Sequence, residues 1–90
     1  QIMRLIIPMP TEERRRELVR QVDKRVEEAR VSVRNIRRDA IEDLREFEKE
    51  KLISEDDLRH GRDEIQRLTD RQIEQIDTIG RDKETEVMEV

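Results

Sequence analysis

The sequence predicts an all-α fold, a long antiparallel helical hairpin, and three observations predict it. Apolar residues recur every three or four positions along two long stretches, the first stretch contains neither Gly nor Pro, and the residues between the two are few and end in a helix-opening run. The chain has 90 residues, 49 % of them charged and 32 % hydrophobic, with Phe47 the only aromatic. High charge with few aromatics is also a signature of disorder, but a disordered chain has no reason to keep its apolar residues on one helical face.

Residues 1–10 differ from the rest. The run Gln1-Ile2-Met3-Arg4-Leu5-Ile6-Ile7 is largely apolar and partly β-branched, which reads as a short strand. A lone strand is not stable, so it needs partners from elsewhere, and a free N-terminal tail is the other reading. Pro8, Met9 and Pro10 interrupt regular hydrogen bonding and stiffen the exit, which suits a hinge or domain boundary. The expected organisation is a terminal strand and hinge over residues 1–10 and a helical arm over residues 11–90.

Thr11 is a suitable N-cap, and Glu12 and Glu13 sit in the first turn, where the helix dipole favours anions. The stripe then runs through Leu18, Val22, Val26, Ala29, Val33, Ile36, Ala40, Leu44 and Phe47. That spacing places all nine on one side of a helix over about residues 11–50, roughly 60 Å long at 1.5 Å per residue. Glu13 with Arg16 and Glu42 with Arg45 are expected pairs along its surface. Lys51-Leu52-Ile53 forms the connection. Ser54 caps a second helix over about residues 55–88, with Glu55, Asp56 and Asp57 at its positive end. Its stripe, through Leu58, Ile65, Leu68, Ile73, Ile76, Ile79 and Val87, is weaker, and Gly61 and Gly80 lower its helix propensity. Two helices joined this closely fold back on one another. Their seam is rich in small side chains and buries little area against the entropy of ordering the chain, so a third helix or a second copy is expected to complete a three-helix bundle.

No constellation of catalytic residues is present. His60 is the only histidine and reads as a solvent-facing helix residue. Ser54 is a cap, and Ser32 has no base beside it. The many acidic pairs lie on a solvated helix surface, with no pocket to separate their pKa values. Gly61 and Gly80 stand alone, so there is no glycine-rich phosphate loop, and with no cysteine there is no disulfide or thiolate metal site. No cofactor and no metal are expected. No run approaches a membrane span, and the chain reads as soluble and cytoplasmic.

One segment breaks the charge balance. Arg30-Val31-Ser32-Val33-Arg34-Asn35-Ile36-Arg37-Arg38 carries four arginines and no acid in a chain of net charge −4. Arg30, Arg34 and Arg37 fall on one flank of the face defined by Val33, Ile36 and Ala40, and Arg38 and Arg45 extend that flank outward, while Asp39, Asp43, Glu46 and Glu50 gather on the other. Two readings of these residues are open: a solvated charged face with local ion pairs, or a surface for the phosphates of folded RNA. Arginine's planar fork suits a phosphate and can stack on a base, and the near-absence of aromatics argues against single-strand stacking modes.

Several separate runs carry a family resemblance: Pro10-Thr11-Glu12-Glu13-Arg14-Arg15, Val33-Arg34-Asn35-Ile36-Arg37-Arg38-Asp39-Ala40, Ile53-Ser54-Glu55-Asp56-Asp57, Ile65-Gln66-Arg67-Leu68-Thr69-Asp70, and the ending Lys83-Glu84 through Met88-Glu89-Val90. In order and spacing they closely resemble the ribosome recycling factors, over essentially the whole chain. The resemblance implies an L-shaped protein with a three-helix-bundle arm and a small β-rich domain joined by a hinge. Residues 1–7 would be the last strand of the small domain, and Pro8, Met9 and Pro10 would lie at the hinge. The two helices would be the second and third of the bundle, with the family's first helix and most of its β domain lacking a counterpart. It also implies a non-enzymatic factor that binds large-subunit rRNA and splits ribosomal subunits together with elongation factor G. Arg34, Arg37 and Arg38 would contact rRNA, and Arg30 less centrally. Aside from the family, an amphipathic hairpin of this kind could self-associate or bind a partner helix.

Overall fold

The computed structural model describes residues 11–89, so the strand expected over residues 1–7 and the hinge at Pro8, Met9 and Pro10 lie outside the described residues. Two α-helices fill nearly all of that span: α1 (Thr11–Lys49) and α2 (Glu55–Glu89). Both agree with the periodicity to within a residue at each end. Thr11 is itself the first helical residue and not the residue before it.

The turn between the helices closes in two steps. The Leu52 amide donates to the Phe47 carbonyl (2.8 Å) and the Lys51 amide to the Glu48 carbonyl (2.9 Å). With Lys51 at φ 63°, this is a Schellman arrangement, which satisfies carbonyls that the end of α1 would leave unpaired. Lysine holds a backbone conformation that glycine adopts without penalty. Ser54 then opens α2 as expected. Its hydroxyl accepts from the Asp57 amide (3.0 Å), and its own amide donates to the Asp57 carboxylate (3.1 Å). The capping box is thus closed by Asp57. The Ser54 amide, and after it the Ser54 hydroxyl, lower the Asp57 pKa below the usual carboxylate range.

The helices run antiparallel and touch along a seam: Gly61 lies against Leu44 near the turn, and Gly80 against Val26 farther along the arm. The glycines weaken the helix locally, as their propensity predicts, but their lack of a side chain is what admits the opposite helix. A Cβ at Gly61 would stand 2.7 Å from a Leu44 methyl, and one at Gly80 would stand 2.7 Å from a Val26 methyl.

Burial corrects the expected seam. Among the described residues no hydrophobic side chain is fully buried; Thr69, at 7 % exposure, and Gly80 are the buried positions. Thr69 satisfies its hydroxyl by donating to the Ile65 carbonyl (2.7 Å). Ile36 is 68 % exposed and Ile79 60 %, although both belong to the predicted stripes. Half-buried Arg37 and Ile41 lie beside α2 with Val33, Ala40 and Leu44 instead. The reason is width. An apolar stripe made for two neighbours is wider than one neighbour can cover, so its outer edge stays open. That edge forms an apolar groove. One part, about 470 Å³, is lined by Leu18, Val22, Ala29, Ile76, Ile79 and Val87 among others. Another, about 270 Å³, is lined by Val33, Ile36, Ala40, Ile65 and Leu68 among others.

The other flank of the seam is polar and repeats every heptad. Asp23, Arg30 and Arg37 succeed one another at seven-residue steps on α1, as Glu84, Asp77 and Asp70 do on α2. Arg30 Nε and Nη2 both donate to Asp77 Oδ1 (2.8 and 2.6 Å). Arg37 Nη1 donates to Gln66 Oε1 (2.6 Å), and Gln66 Nε2 passes the chain on to Asp70 (2.9 Å). At the third rung Glu84 meets Asp23. The hydrogen bond between two carboxyls requires a proton, and this bond, together with the Asp23 charge, pushes the Glu84 pKa up. Along the surface of α1, Arg16 pairs with Glu12 (3.0 Å) and not with Glu13, because a Glu one full turn N-terminal faces it directly. Arg45 makes no ion pair with Glu42 among the described residues.

Three outcomes follow from this packing. Gly61→Ala removes a helix penalty of about 1 kcal/mol, and the flexible end of Leu44 can swing aside, so urea unfolding should show stability unchanged or slightly raised. Gly80→Ala meets Val26, whose χ1 is stiff, and the overpacking of about 1–3 kcal/mol should leave that variant the less stable of the two. Equal midpoints for the two variants would contradict the packing assigned to Gly80. Glu84→Gln should stabilise the arm at neutral pH. A carboxyl whose folded pKa is raised loses stability as pH rises through that value, so the gain should fade as pH falls to the ordinary carboxylate range and below. Denaturation midpoints across pH check this.

Candidate nucleic-acid interface

Helix α1 carries the arginine-rich segment without a break, so its guanidiniums stand on a rigid rod and not on a loop. The structure separates the four candidates by what holds them. Arg30 is committed. Besides Asp77 it reaches Glu27 through Nη1 (3.1 Å), its side chain is 32 % exposed, and the Asp77 and then the Glu27 hydrogen bonds drive its pKa up from an already high value. Its charge is largely cancelled inside the hairpin, and it ties the helices together.

Arg34 and Arg38 are open. Arg34 has only a long contact to Glu27 (3.9 Å), and its side chain is 53 % exposed. Arg38 has only its neighbour Asp39 (3.6 Å). Exposed contacts of this kind are screened and contribute little, so either guanidinium can exchange them for a phosphate.

Arg37 lies between these cases. It is half-buried in the seam, and its hydrogen bond to Gln66 fixes the side chain without neutralising it. Its Nε is shielded from solvent and has no acceptor among the described residues. A shielded donor left unpaired costs on the order of 1–3 kcal/mol. The structure therefore brings Arg34, Arg37 and Arg38 onto one flank as the helical spacing predicts, and sets Arg30 apart. The acids expected on the opposite flank, Asp39, Asp43, Glu46 and Glu50, are all exposed.

Sequence reasoning missed what α2 adds. Arg59 and Arg62, with Gln66 and Asp63, line a recess of about 450 Å³ together with Arg37, Ile41 and Arg45. The signal was present: Arg59, Arg62 and Gln66 stand at i, i+3 and i+7 on one side of α2. Only the antiparallel register shows that this side adjoins the basic flank of α1. His60 is exposed, and no group of side chains among the described residues is placed to hold a metal ion. No helix among them is long and apolar enough to cross a membrane.

Comparison with known proteins gives a consistent result. The sequence model of a family described as ribosome recycling factor matches residues 1–88. Curated relatives named ribosome-recycling factor include those of Syntrophomonas wolfei, 62 % identical over 89 residues (99 % of this chain, 48 % of the relative), and of Chloroflexus aurantiacus, 60 % identical over the same shares. Another, from Listeria innocua, is 56 % identical over 89 residues, again 99 % of this chain and 48 % of the relative. The chain spans about half the length of the curated relatives it matches.

Proposed function

The chain belongs to the ribosome recycling factor family, and from that premise we propose that it serves ribosome recycling after translation termination by setting the basic flank of α1 against large-subunit rRNA. The family is one of non-enzymatic translation factors. The task is then one of fit and charge: a rigid rod is held in register on folded RNA, and elongation factor G supplies the driving step that separates the subunits. Such work belongs in the cytoplasm.

The observation that carries this reading is the state of Arg37. It is fixed by Gln66, it has no carboxylate partner among the described residues, and it keeps a shielded donor unpaired. Flanked by exposed Arg34 and Arg38, it forms a positioned basic edge in a chain that is acidic overall. Folded RNA is recognised largely through its backbone and shape, which such an edge can follow without reading bases. Arg30 has a different part in this reading, holding α2 in register so that the edge stays straight.

The apolar groove supports a partner for the hairpin itself. The occupant proposed is the family's first bundle helix. The second reading, a second copy of the chain, is favoured by the same groove, which leaves Ile36, Leu68 and Ile79 in water. Sedimentation and circular dichroism over a concentration series separate these: a dimer insensitive to salt supports self-association, whereas a stable helical monomer of the 90-residue chain at nanomolar concentration would speak against both occupants.

For the RNA contact, Arg37→Ala in the full-length gene product should weaken large-subunit binding roughly ten-fold at moderate salt. It should also reduce the steepness of the log–log salt dependence by about 0.9 for the phosphate it releases. Affinity and steepness both unchanged would remove Arg37 from the contact.

A further inference from the structure

The basic edge of α1 does not end at α1. Near the turn, Arg37 and Arg45 from α1 and Arg59 and Arg62 from α2 surround one recess of about 450 Å³, with Asp63 the single carboxylate in its wall. Arg59 is paired with Asp56, an exposed contact one turn along its own helix. Arg37, Arg45 and Arg62 make no ion pair among the described residues. Gathering four guanidiniums around one concavity is unfavourable by mutual repulsion, the more so because carboxylates are plentiful elsewhere on the surface. The arrangement contrasts with the next rung along the seam, where Arg30 faces Asp77 and the charge is answered. At the recess the answering charge is left to a ligand.

We propose that this two-helix recess receives a phosphodiester of the RNA backbone, so that the RNA-contacting surface is a cleft built by both helices and not a single edge. The inference rests on the rRNA reading above and deepens it by naming Arg45, Arg59 and Arg62 as further contacts. Three features fit a phosphodiester. Arginine forks from two sides can meet different oxygens of one phosphate. Gln66 holds Arg37 from one wall of the recess, so at least one donor is set in advance. Arg37 gives only Nη1 to Gln66, and its Nη2 makes no hydrogen bond among the described residues, which leaves it for an anion. The recess and the 270 Å³ part of the apolar groove share only Arg37, so an RNA strand can occupy the cleft while a helix occupies the groove.

The experiment compares the salt dependence of large-subunit binding for four forms of the full-length gene product against the unsubstituted one. In the first, Arg59→Gln and Arg62→Gln are combined. In the second, Arg59→Lys and Arg62→Lys keep the charge and lose the fork. In the third, Arg34→Gln and Arg38→Gln affect the edge of α1 alone. The fourth, Arg67→Gln, alters an arginine of α2 outside the recess that is paired with Glu64. All five sites bear exposed side chains on helices, and Gln is a good helix former, so helix content should hold in each.

The glutamine pair in the recess should reduce the steepness of the salt dependence by about 1 to 2 and weaken binding ten-fold or more, the lysine pair should keep the steepness with weaker binding, and Arg67→Gln should change neither. If the Arg34/Arg38 form loses steepness while the Arg59/Arg62 form does not, the two-helix cleft is wrong and the α1 edge stands. If neither form changes, the rRNA reading itself fails. If Arg67→Gln reduces the steepness as much as the recess pair does, the effect is one of overall charge and the cleft is overturned.

Discussion

Two positions without a side chain set the spacing of this arm. Gly61 admits Leu44 and Gly80 admits Val26, so the helices meet closely at two points along the seam. The chain gives up about 1 kcal/mol of helix propensity at each glycine. The return is geometric. With the seam pinned at two points, the polar residues between fall opposite one another at heptad intervals, and Arg30 finds Asp77 while Arg37 finds Gln66. A slip of one residue on either helix would part every one of these contacts.

The seam also divides the hairpin into two unlike flanks. One is closed by the polar rungs, with Thr69 and Gly80 buried between the helices. The other is an apolar groove with no fully buried hydrophobic side chain among the described residues. This asymmetry fits an element that meets two kinds of partner at once. Apolar surface favours another helix, whereas unpaired guanidiniums favour phosphate. Net charge is no guide to the second, since a chain at −4 can still present a local field of the opposite sign. The Asp23–Glu84 rung is the exception on the polar flank. Two carboxyls facing each other oppose the close approach of the helices at neutral pH.

Much of this architecture is written in the order of the residues. Helix periodicity, the Ser54 cap, the acids of each first turn and the short connection are local effects, each decided within a few residues, and they placed α1 and α2 to within a residue. The flank shared by Arg34, Arg37 and Arg38 is likewise a property of one helix, and the family resemblance runs through motifs that are contiguous in the chain. What lies across the seam was not legible. The stripes could not show that Ile36 would stay in water while Arg37 took a place at the interface, because an amphipathic face does not state how many neighbours will cover it. Nor could the glycines be recognised as contact points, since their effect on one helix is only to weaken it. Arg30 shares a helical flank with Arg34, and only the placement of Asp77, distant in sequence, shows that it is committed within the hairpin. Arg59 and Arg62 joined Arg37 and Arg45 only when the antiparallel register set α2 against α1. Intrahelical geometry is fixed by the backbone repeat, so the sequence by itself determined the elements and their faces; which charges are answered and which remain for a partner depends on distances between helices, and those only the tertiary structure decides.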